Sequence, residues 1–350
     1  MLNYSIVIAT RNRPAALRLS IPRMLTQTRL PSQLIVVDSS DDHEAVVEVV
    51  KACVEGHLID WMIINSERGV TRQRNIGLKH VAKPVVFFPD DDSIWFSDTA
   101  EAQMRVYERD TEKRISAVCA AESSTPPLDW ELSSAKKSYE LRFSHRIHQR
   151  IGGYRTKLEN RLFPDPAKLA GRKNWPDLTE IPCWFQTEDV VFVEYMTGFR
   201  MSFRTPVIQS VGFDEILSQY SLCEDIDASL GAWSQGWVVA ARKARVFHYR
   251  APERRENGNR YGVCHLLNKA YVVTKHTAVG DYSREKILPY SQYKIFLYAL
   301  ARGDEFSRER YLGAKNAFAG VIKLTSSPRE SAGSCYENEL RLALAPNLEA

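Results

Sequence analysis

The stretch VVFFPDDD at residues 85–92 joins four consecutive apolar residues to three consecutive aspartates. A short apolar run with β-branched and aromatic side chains predicts a buried strand at residues 85–88. Three carboxylates directly after the strand repel one another, so each favours protonation unless a cation lies nearby. The segment therefore predicts a buried strand that ends in an acidic cluster.

Three more apolar strands precede this one, and helical segments separate them. The strands are predicted at residues 5–9, 34–37 and 61–64, and the helices at residues 15–26, 44–54 and 71–81. Strands that alternate with helices indicate a parallel sheet with right-handed crossovers. Ligands of such sheets bind outside the carboxyl ends of the strands, where polar residues follow three of these four strands.

The acidic cluster has the residue types of a divalent-metal site. Side chains alternate sides along an extended segment, so Asp90 and Asp92 can converge while Asp91 points away. Mg²⁺ and Mn²⁺ prefer carboxylate oxygens and usually share their coordination with substrate phosphates. We therefore predict that Asp90 and Asp92 bind Mg²⁺ or Mn²⁺. The alternative is a solvated acidic turn, or a cap for a helix that begins at Ser93.

Three further polar residues are predicted near the same edge of the sheet. Asp38 ends the second strand, where a carboxylate can accept hydrogen bonds from a ribose or a base. The alternative for Asp38 is an Asx turn that satisfies loop amides. Arg72 and Arg74 lie at the start of the third helix, where a guanidinium can contact a diphosphate. For both arginines the alternative is a solvated helix face.

The composition excludes several classes of protein. The chain has 350 residues, 44% of them hydrophobic and 26% charged, which is typical of one or two soluble domains. A net charge of +4 is too small for a dedicated nucleic-acid binder. Six scattered cysteines without a C-x-x-C pair fit a reducing cytosol. No apolar run is long enough to span a membrane, so we expect a cytoplasmic protein that touches the inner face of a membrane at most peripherally.

The second half of the chain is less regular. A strand is predicted at residues 198–204, a helix at 224–236, strands at 237–241 and 244–247, and mostly helix after residue 261. Residues 142–173 contain nine Lys or Arg residues and two acids. In a helix, one face of this segment would carry Arg142, His145, Arg146 and Arg150. That face would meet anionic lipid headgroups or a lipid-linked diphosphate, or else form a solvated surface.

Eight segments together resemble the family 2 glycosyltransferases of the GT-A fold. Each motif alone is weak, but their order along residues 4 to 250 is the order of the family. The segments are IVIATRNR (6–13), IVVD (35–38), TRQRNIG (71–77), FFPDDD (87–92), FRMSFR (199–204), VGFDE (211–215), CEDID (223–227) and GW (236–237).

The resemblance implies a site for a nucleotide-sugar donor. Its donor-binding residues would be Thr10 and Arg13 beside the base, Asp38 at the base or ribose, Arg74 near the base or diphosphate, and the acidic pair Asp90 and Asp91. Asp92 would be the more direct metal ligand, with Asp90 nearer the ribose or a metal-bound water. His248 lies where relatives often place a histidine near the diphosphate or metal, although a structural histidine is the alternative.

The resemblance also implies the catalytic residues. Asp225 matches the general base of the family, and Glu224 lies beside it. The alternative is an ordinary acidic first turn that complements a helix dipole. A cation at Asp92 would stabilise the charge of the departing diphosphate, and proton removal by Asp225 would activate the acceptor hydroxyl. Attack from the face opposite the diphosphate would invert the anomeric centre.

The predicted architecture is α/β: a GT-A, Rossmann-like, mostly parallel mixed sheet flanked by helices, followed by a helical C-terminal region. A catalytic domain would span residues 1–260, with a nucleotide-sugar half at 1–95 and an acceptor half at 96–260. A basic insertion at about 123–190 shows no family pattern, and a helical extension would span 261–350. Ser39 stands where the family often has a second aspartate, which puts the base or ribose contact in doubt.

The predicted function is metal-dependent, inverting transfer of a sugar from a nucleoside-diphosphate sugar, most commonly UDP-linked, to a hydroxyl of a glycan or lipid-linked acceptor. By family analogy the reaction would belong to cell-surface polysaccharide synthesis. One alternative is a sugar-phosphate nucleotidyltransferase, but residues 10–14 lack the Gly-rich phosphate loop of that class. A second alternative is a non-catalytic protein that binds a sugar nucleotide or a glycan.

Overall fold

The computed structural model describes residues 1–130, 161–219, 222–250 and 257–345. Nine strands form one sheet, in the order β3-β2-β1-β4-β8-β6-β9-β5, with β7 paired to β9. The predicted face of Arg142, His145, Arg146 and Arg150 lies outside the described residues, as does most of the predicted basic insertion.

The N-terminal part is the predicted alternation of strands and helices, and its strands are all parallel. Its elements are β1 (Tyr4–Thr10), α1 (Pro14–Leu25), β2 (Gln33–Asp38), α2 (His43–Val54), β3 (Asp60–Asn65), α3 (Val70–Lys79) and β4 (Val85–Phe88). Thr10 of β1 pairs with Asp38 of β2, and Ala9 forms a bridge to Asp90 just after β4. The register therefore brings three predicted site residues to one edge of the sheet.

The second part of the sheet contains the antiparallel pairs. Its elements are β5 (Ser93–Trp95), α4 (Thr99–Arg109), β6 (Ile115–Ser123), α5 (Pro166–Arg172), α6 (Trp184–Glu188), β7 (Val190–Phe192), β8 (Met201–Arg204), α7 (Thr205–Val211), α8 (Glu224–Trp233) and β9 (Trp237–His248). β8 lies antiparallel between β4 and β6, whereas β9 is parallel to β6 and antiparallel to β5 and β7. The predicted mixed α/β sheet is confirmed.

Both faces of the sheet are covered, which explains why its strands are continuously apolar. Ile6 and Ile8 of β1 pack in the core on the side of α1, α2 and α4, while Val7 packs on the opposite side with residues of α3 and α8. All three side chains are at most 1% exposed. Burial on both faces fixes the register of β1, because a shift by one residue would move every side chain to the other core.

Helices fill the rest of the described chain. They are α9 (Gly258–His276), α10 (Tyr282–Glu285), α11 (Ile287–Leu300), α12 (Glu305–Ser326) and α13 (Ala332–Leu344). The predicted helical C-terminal region is therefore confirmed. Within the described residues, no helix combines the length and the apolar character that crossing a bilayer requires. α9 runs through the middle of this region, and most of its residues are buried.

Candidate active site

The three aspartates after β4 face two different groups of partners. Asp90 and Asp92 lie with His248, and one potential ligand atom from each of the three lies within 4.8 Å of the others. Asp91 points to the other side, where its carboxylate accepts a hydrogen bond from Thr10 Oγ1 at 2.8 Å. The alternation expected from an extended segment is therefore present.

His248 is held in place from two directions. Its ring stacks on Phe199, with the ring centroids 4.4 Å apart and the planes inclined by 15°. Its Nε2 lies 3.2 Å from Asp92 Oδ1. Burial alone would lower the pKa of His248, but the carboxylate of Asp92 outweighs it and the pKa is raised. Pairing with Ser93 across the β5–β9 ladder brings the histidine to the acidic turn.

Asp91 joins the acidic turn to the loop after β1. Arg13 Nη1 donates to Asp91 Oδ1 at 3.2 Å and lies 3.8 Å from Asp92 Oδ2. The main-chain carbonyl of Asp91 accepts a hydrogen bond from Ser20 Oγ of α1 at 2.7 Å. Burial, together with the nearby carboxylate of Asp92, raises the pKa of Asp91 to about 7, and Arg13 opposes this rise. Thr10 and Arg13 are therefore positioned by Asp91.

Arg74 connects the acidic turn to the N-terminus of α8. Its guanidinium donates from Nη2 to Asp90 Oδ1 at 2.9 Å and from Nη1 to Glu224 Oε1 at 3.0 Å. The side chain is 2% exposed and lies over the ring of Phe213 at 5.3 Å. A Cβ at Gly198 would lie 3.3 Å from Arg74 Nη2, so the glycine leaves space for the arginine.

Glu224 and Asp225 form the first turn of α8, after Cys223 in the left-handed conformation with φ 73°. Glu224 is buried, and its pKa is raised to about 8 by burial and by the charge of Asp225, against the effect of Arg74. Asp225 is half-buried and accepts hydrogen bonds from the amides of Gly198 and Ile226 at 3.0 and 2.8 Å. Burial raises the pKa of Asp225 as well.

Two neighbours of Arg74 in α3 hold the framework of the site, and the sequence analysis did not identify them. Gln73 Nε2 donates to the carbonyls of Thr10 and Val37, each at 2.8 Å, and so joins the ends of β1 and β2. Asn75 Nδ2 donates to the carbonyl of Phe213, whose amide donates back to Asn75 Oδ1. Their position on either side of Arg74, in a polar segment of an otherwise packed helix, is the feature of the sequence that could have indicated their role.

Two predicted donor-site residues have protein partners of their own. Asp38 is fully buried; its Oδ1 accepts from the amide of Ser40 at 2.9 Å, and its Oδ2 lies 2.7 Å from His43 Nδ1. This is the Asx turn that we considered as the alternative. Arg72 forms ion pairs with Glu67 and Glu215 instead.

The donor set fits a divalent cation. The two carboxylates are ligands that Mg²⁺ and Mn²⁺ prefer, and the imidazole is a softer ligand that suits the transition metal Mn²⁺ better than Mg²⁺. The surrounding charge favours a cation too, because five carboxylates surround two guanidinium groups and one imidazole. The carboxylates are Asp90, Asp91, Asp92, Glu224 and Asp225. Burial raises the pKa values of Asp91 and Glu224, and the neighbouring carboxylates raise them further.

Residues 5–166 match the family model described as Glycosyl transferase family 2. This match confirms the resemblance that the motifs indicated, and it supports a glycosyltransferase. No curated protein matches the chain at a significant level.

Solved structures of glycosyltransferases share the fold. S. aureus TarS superposes with a TM-score of 0.51 at 11% identity, over 98% of this chain and 55% of that one. Residues 1–349 of TarS, in complex with UDP-GlcNAc, give the same score and identity over 98% of this chain and 90% of that one. The mannosyltransferase PcManGT from Pyrobaculum calidifontis, in complex with GDP-Man and Mn²⁺, gives 0.50 at 14% identity over 99% and 87%.

At these identities the likeness establishes the GT-A fold predicted from the sequence. The chain spans about half of the longer TarS chain. Donor, acceptor and metal therefore have to be argued from the site itself.

Proposed function

We propose that this chain is an inverting, metal-dependent glycosyltransferase. It moves a sugar from a nucleoside-diphosphate sugar to a hydroxyl of a glycan or lipid-linked acceptor, in the synthesis of a cell-surface polysaccharide. One observation carries the proposal: Arg74 joins Asp90 of the acidic turn to Glu224 of the acidic helix start at one sheet edge. The proposal also rests on the family match over residues 5–166.

The donor would lie over the ends of β1, β2 and β4. Thr10 and Arg13 border this edge, and Asp38 pairs with Thr10 across the two strands. Because Asp38 is already bonded to Ser40 and His43, its role in the proposal is to shape the loop that meets the base. One of the similar structures contains UDP-GlcNAc and another GDP-Man. UDP, the carrier expected from the sequence, is the first to test.

Asp90, Asp92 and His248 would hold Mn²⁺ or Mg²⁺. When bound, the ion supplies positive charge to the diphosphate, on which negative charge develops as it leaves. Phe199 and Asp92 orient the imidazole, and Arg74 orients Asp90. These contacts exist before any ligand binds, so the protein does not have to reorganise its own charges during the reaction.

Asp225 would act as the general base. In the proposed step the acceptor oxygen attacks the anomeric carbon, the bond to the diphosphate breaks, and the hydroxyl proton moves to Asp225. The half-buried Asp225 can face a substrate, whereas the buried Glu224 is committed to Arg74. A raised pKa makes a carboxylate a stronger base, which suits this role. A base across the sugar from the diphosphate gives inversion.

The proposal keeps the domain boundaries that were predicted from the sequence. The catalytic domain is assigned to residues 1–260, with the donor half at 1–95, and the helical extension to 261–350. The acceptor would meet the second half, next to α8. A peripheral membrane contact through the basic insertion remains a hypothesis about residues outside the described part of the chain.

Nucleotide binding is the direct test of the proposal. UDP, GDP and dTDP are titrated by calorimetry, with and without Mn²⁺, into the wild type and Asp92→Ala. We expect one nucleotide to bind in a metal-dependent manner and Asp92→Ala to lose that dependence. Glu112→Gln is the control, because it removes an exposed carboxylate that pairs with Arg114 instead. Absence of metal-dependent binding to all three nucleotides would contradict the donor-site assignment.

A further inference from the structure

Four side chains form a cluster at the junction of α9, α11 and α12. Tyr298 OH lies 2.7 Å from His265 Nδ1, and the ring of Tyr261 stacks on His265 with centroids 5.8 Å apart. Arg310 lies over the ring of Tyr298 at 4.4 Å. We call Tyr261, His265, Tyr298 and Arg310 the aromatic-cation cluster. None of these residues belongs to the proposed donor site or its base.

Arg310 has no hydrogen-bonded counter-ion among the residues that the structure describes. No carboxylate of these residues accepts a hydrogen bond from its guanidinium, and its Nε is buried with no hydrogen-bond partner. Asp304, the N-cap of α12, lies within electrostatic range of Arg310, but its carboxylate accepts from the amide of Ser307. Glu309 accepts from the amide of Gly258. A partly buried guanidinium in this state lacks hydrogen-bond acceptors for its five donors.

The surroundings of the cluster are electropositive. Lys269 and Lys294 lie near it, and each ammonium group faces the ring of Tyr290 at 5.1 and 5.2 Å. Asp165 is the acid that balances Lys269, at 2.6 Å from its Nζ. Burial, followed by the charges of Lys269, Lys294 and Arg310, lowers the pKa of His265 to about 3. Lys269, Lys294 and Arg310 therefore place positive charge around His265, which Asp165 offsets in part.

The cluster lies on helices that contact the start of α8. Tyr261 and His265 belong to α9, and Asn268 of the same helix donates to the carbonyl of Leu222, just before α8. Lys275 and His276, further along α9, contact Asp227 of α8 at 2.9 and 2.8 Å. α9 therefore joins the cluster to the helix that begins with Glu224 and Asp225.

We propose that the aromatic-cation cluster binds a phosphate group of the acceptor. The assignment to an acceptor rests on the proposed function, whereas phosphate binding itself does not. The guanidinium of Arg310 presents a planar set of donors that matches phosphate oxygens. A neutral His265 that accepts the Tyr298 hydroxyl proton at Nδ1 carries its own hydrogen at Nε2 and donates it. The aromatic rings hold both donors in place before the ligand arrives.

Calorimetry with inorganic pyrophosphate at low ionic strength, without divalent metal, tests the phosphate site. We expect the wild type to bind and Arg310→Gln to bind at least about tenfold more weakly, the loss of a charge-assisted contact. Arg308→Gln is the matched control, since it removes the same charge from an exposed position of α12. Arg310→Lys keeps the charge without the fork and should fall between the two. Equal affinity in Arg310→Gln and the wild type would overturn the proposal.

Asp92→Ala separates the two sites. Metal-free pyrophosphate binding should survive in this variant, and its loss would place the anion in the donor site and overturn the inference. Metal-dependent UDP binding should be unchanged in Arg310→Gln, which also shows that the variant is folded. If no nucleotide binds but pyrophosphate binding depends on Arg310, the proposed function fails and the anion site stands.

Two sources of the phosphate are distinguished by two further probes. Glycerol phosphate is titrated in solution, and vesicles of phosphatidylcholine with phosphatidic acid are used for co-sedimentation against vesicles of phosphatidylcholine alone. Arg310-dependent binding to glycerol phosphate indicates a phosphate within a soluble glycan. Arg310-dependent binding to the acidic vesicles alone indicates a lipid-linked phosphate. Failure of both, together with failure of pyrophosphate, overturns the proposal.

Discussion

At the scale of single residues, Arg74 is the residue whose substitution we expect to lower the stability of the protein most. It is 2% exposed and donates to two carboxylates from different parts of the chain. Removal of one member of a buried ion pair leaves the others desolvated without compensation, which costs about 3–5 kcal/mol. The arginine therefore stabilises the fold as well as the arrangement of the site.

We expect Arg74→Met to lower the free energy of unfolding by about 3 kcal/mol, because Glu224 stays buried and Asp90 half-buried without this counter-ion. Arg74→Lys keeps the charge but cannot reach both carboxylates in the same way, so its loss should be smaller. Denaturant unfolding of the three proteins measures both effects. A double variant with Glu224→Gln should recover part of the Met loss. Wild-type stability in Arg74→Met would show that the bridge is energetically neutral.

Asp225→Asn should separate catalysis from binding. An asparagine keeps the size, and its single carbonyl oxygen can accept from one of the two amides that donate to Asp225, those of Gly198 and Ile226, but it cannot take up the acceptor proton. Loss of a general base typically lowers the rate by about 10²–10⁴-fold. Metal-dependent nucleotide binding should stay at the wild-type level, and calorimetry alongside a transfer assay checks both. Transfer near the wild-type rate would refute the base assignment.

Asp225 also determines the direction in which the rate of transfer changes with pH. A base acts when deprotonated, so the rate falls as the pH falls through its pKa. Burial raises the pKa of Asp225 above its ordinary value of 3.8, so the acid limb should lie above that value. The acid limb should be absent from the residual activity of Asp225→Asn.

At the scale of secondary structure, the N-terminal strands are the part that sequence alone predicts well. β1 to β4 were each predicted to within one residue at either end, because their centres are uniformly apolar, and β1, β2 and β4 are buried on both faces. β6 was not predicted: it reads ISAVCAAES, and its small residues show neither alternation nor bulk. β5 has only three residues, so it forms a strand because it pairs with β9 and not because of its own sequence pattern.

Two boundaries were wrong for physical reasons that lie outside the local sequence. The strands predicted at residues 237–241 and 244–247 are one strand, β9, and the exposed Arg242 and Lys243 lie at an irregularity in its pairing with β6. The strand predicted at residues 198–204 begins at Met201, because residues Gly198–Arg200 form a tight 3-10 turn. That turn brings the amide of Gly198 to Asp225.

The site was predictable in its charged residues and not in its supports. Thr10, Arg13, Arg74, the three aspartates, Glu224 and His248 lie in one contact network, as their motifs indicated. Gln73, Asn75 and Phe199 act through partners that are distant along the chain, such as Val37, Phe213 and His248. Such contacts depend on the fold, which a single sequence does not display.

The packing of α3 on β1 and β2 depends on a glycine. A Cβ at Gly77 would lie 2.4 Å from Val7 Cγ1 and 3.2 Å from Val37 Cγ2. We expect Gly77→Ala to lower the free energy of unfolding by about 1–3 kcal/mol, the usual cost of overpacking. In Val7→Ala/Gly77→Ala the added methyl occupies space that the valine vacates. The double variant should therefore lose less free energy of unfolding than the sum of the losses in the two single variants. Strictly additive losses in a double-mutant cycle would contradict this contact.

At the scale of the whole molecule, the C-terminal helices are joined to the motifs of the proposed acceptor side. Asn268 of α9 donates to the carbonyl of Leu222, just before the acidic start of α8. Lys275 and His276 contact Asp227 of α8 at 2.9 and 2.8 Å. Asp214, which follows the Phe213 that supports Arg74, accepts from Tyr271 and Lys275. We infer that α9 holds the turn of Phe213 and Asp214, which supports Arg74, and the helix α8, which carries Asp225.

The position of α9 depends in turn on its close approach to α12. A Cβ at Gly262 would lie 2.1 Å from the carbonyl oxygen of Arg310 and 2.7 Å from the amide nitrogen of Ala314. These are backbone atoms, so only a shift of one helix can make room. Gly303, in the loop before α12, has nothing within 4 Å of the same added atom, and its backbone is not in the left-handed region.

Gly262→Ala and Gly303→Ala therefore form a matched pair. Helix propensity alone would make Gly262→Ala more stable by about 1 kcal/mol. The close approach predicts the opposite sign: we expect the free energy of unfolding to fall by at least about 2 kcal/mol, while Gly303→Ala stays within about 0.5 kcal/mol of the wild type. Because α9 holds α8, Gly262→Ala should also reduce sugar transfer, whereas metal binding at Asp92 should be less affected, because Asp92 and His248 belong to the acidic turn and to β9. Denaturant unfolding, a transfer assay and Mn²⁺ titration measure these three quantities. A stabilised Gly262→Ala would show that α9 and α12 can move apart without cost, and the coupling of the C-terminal helices to the site would then be disproved.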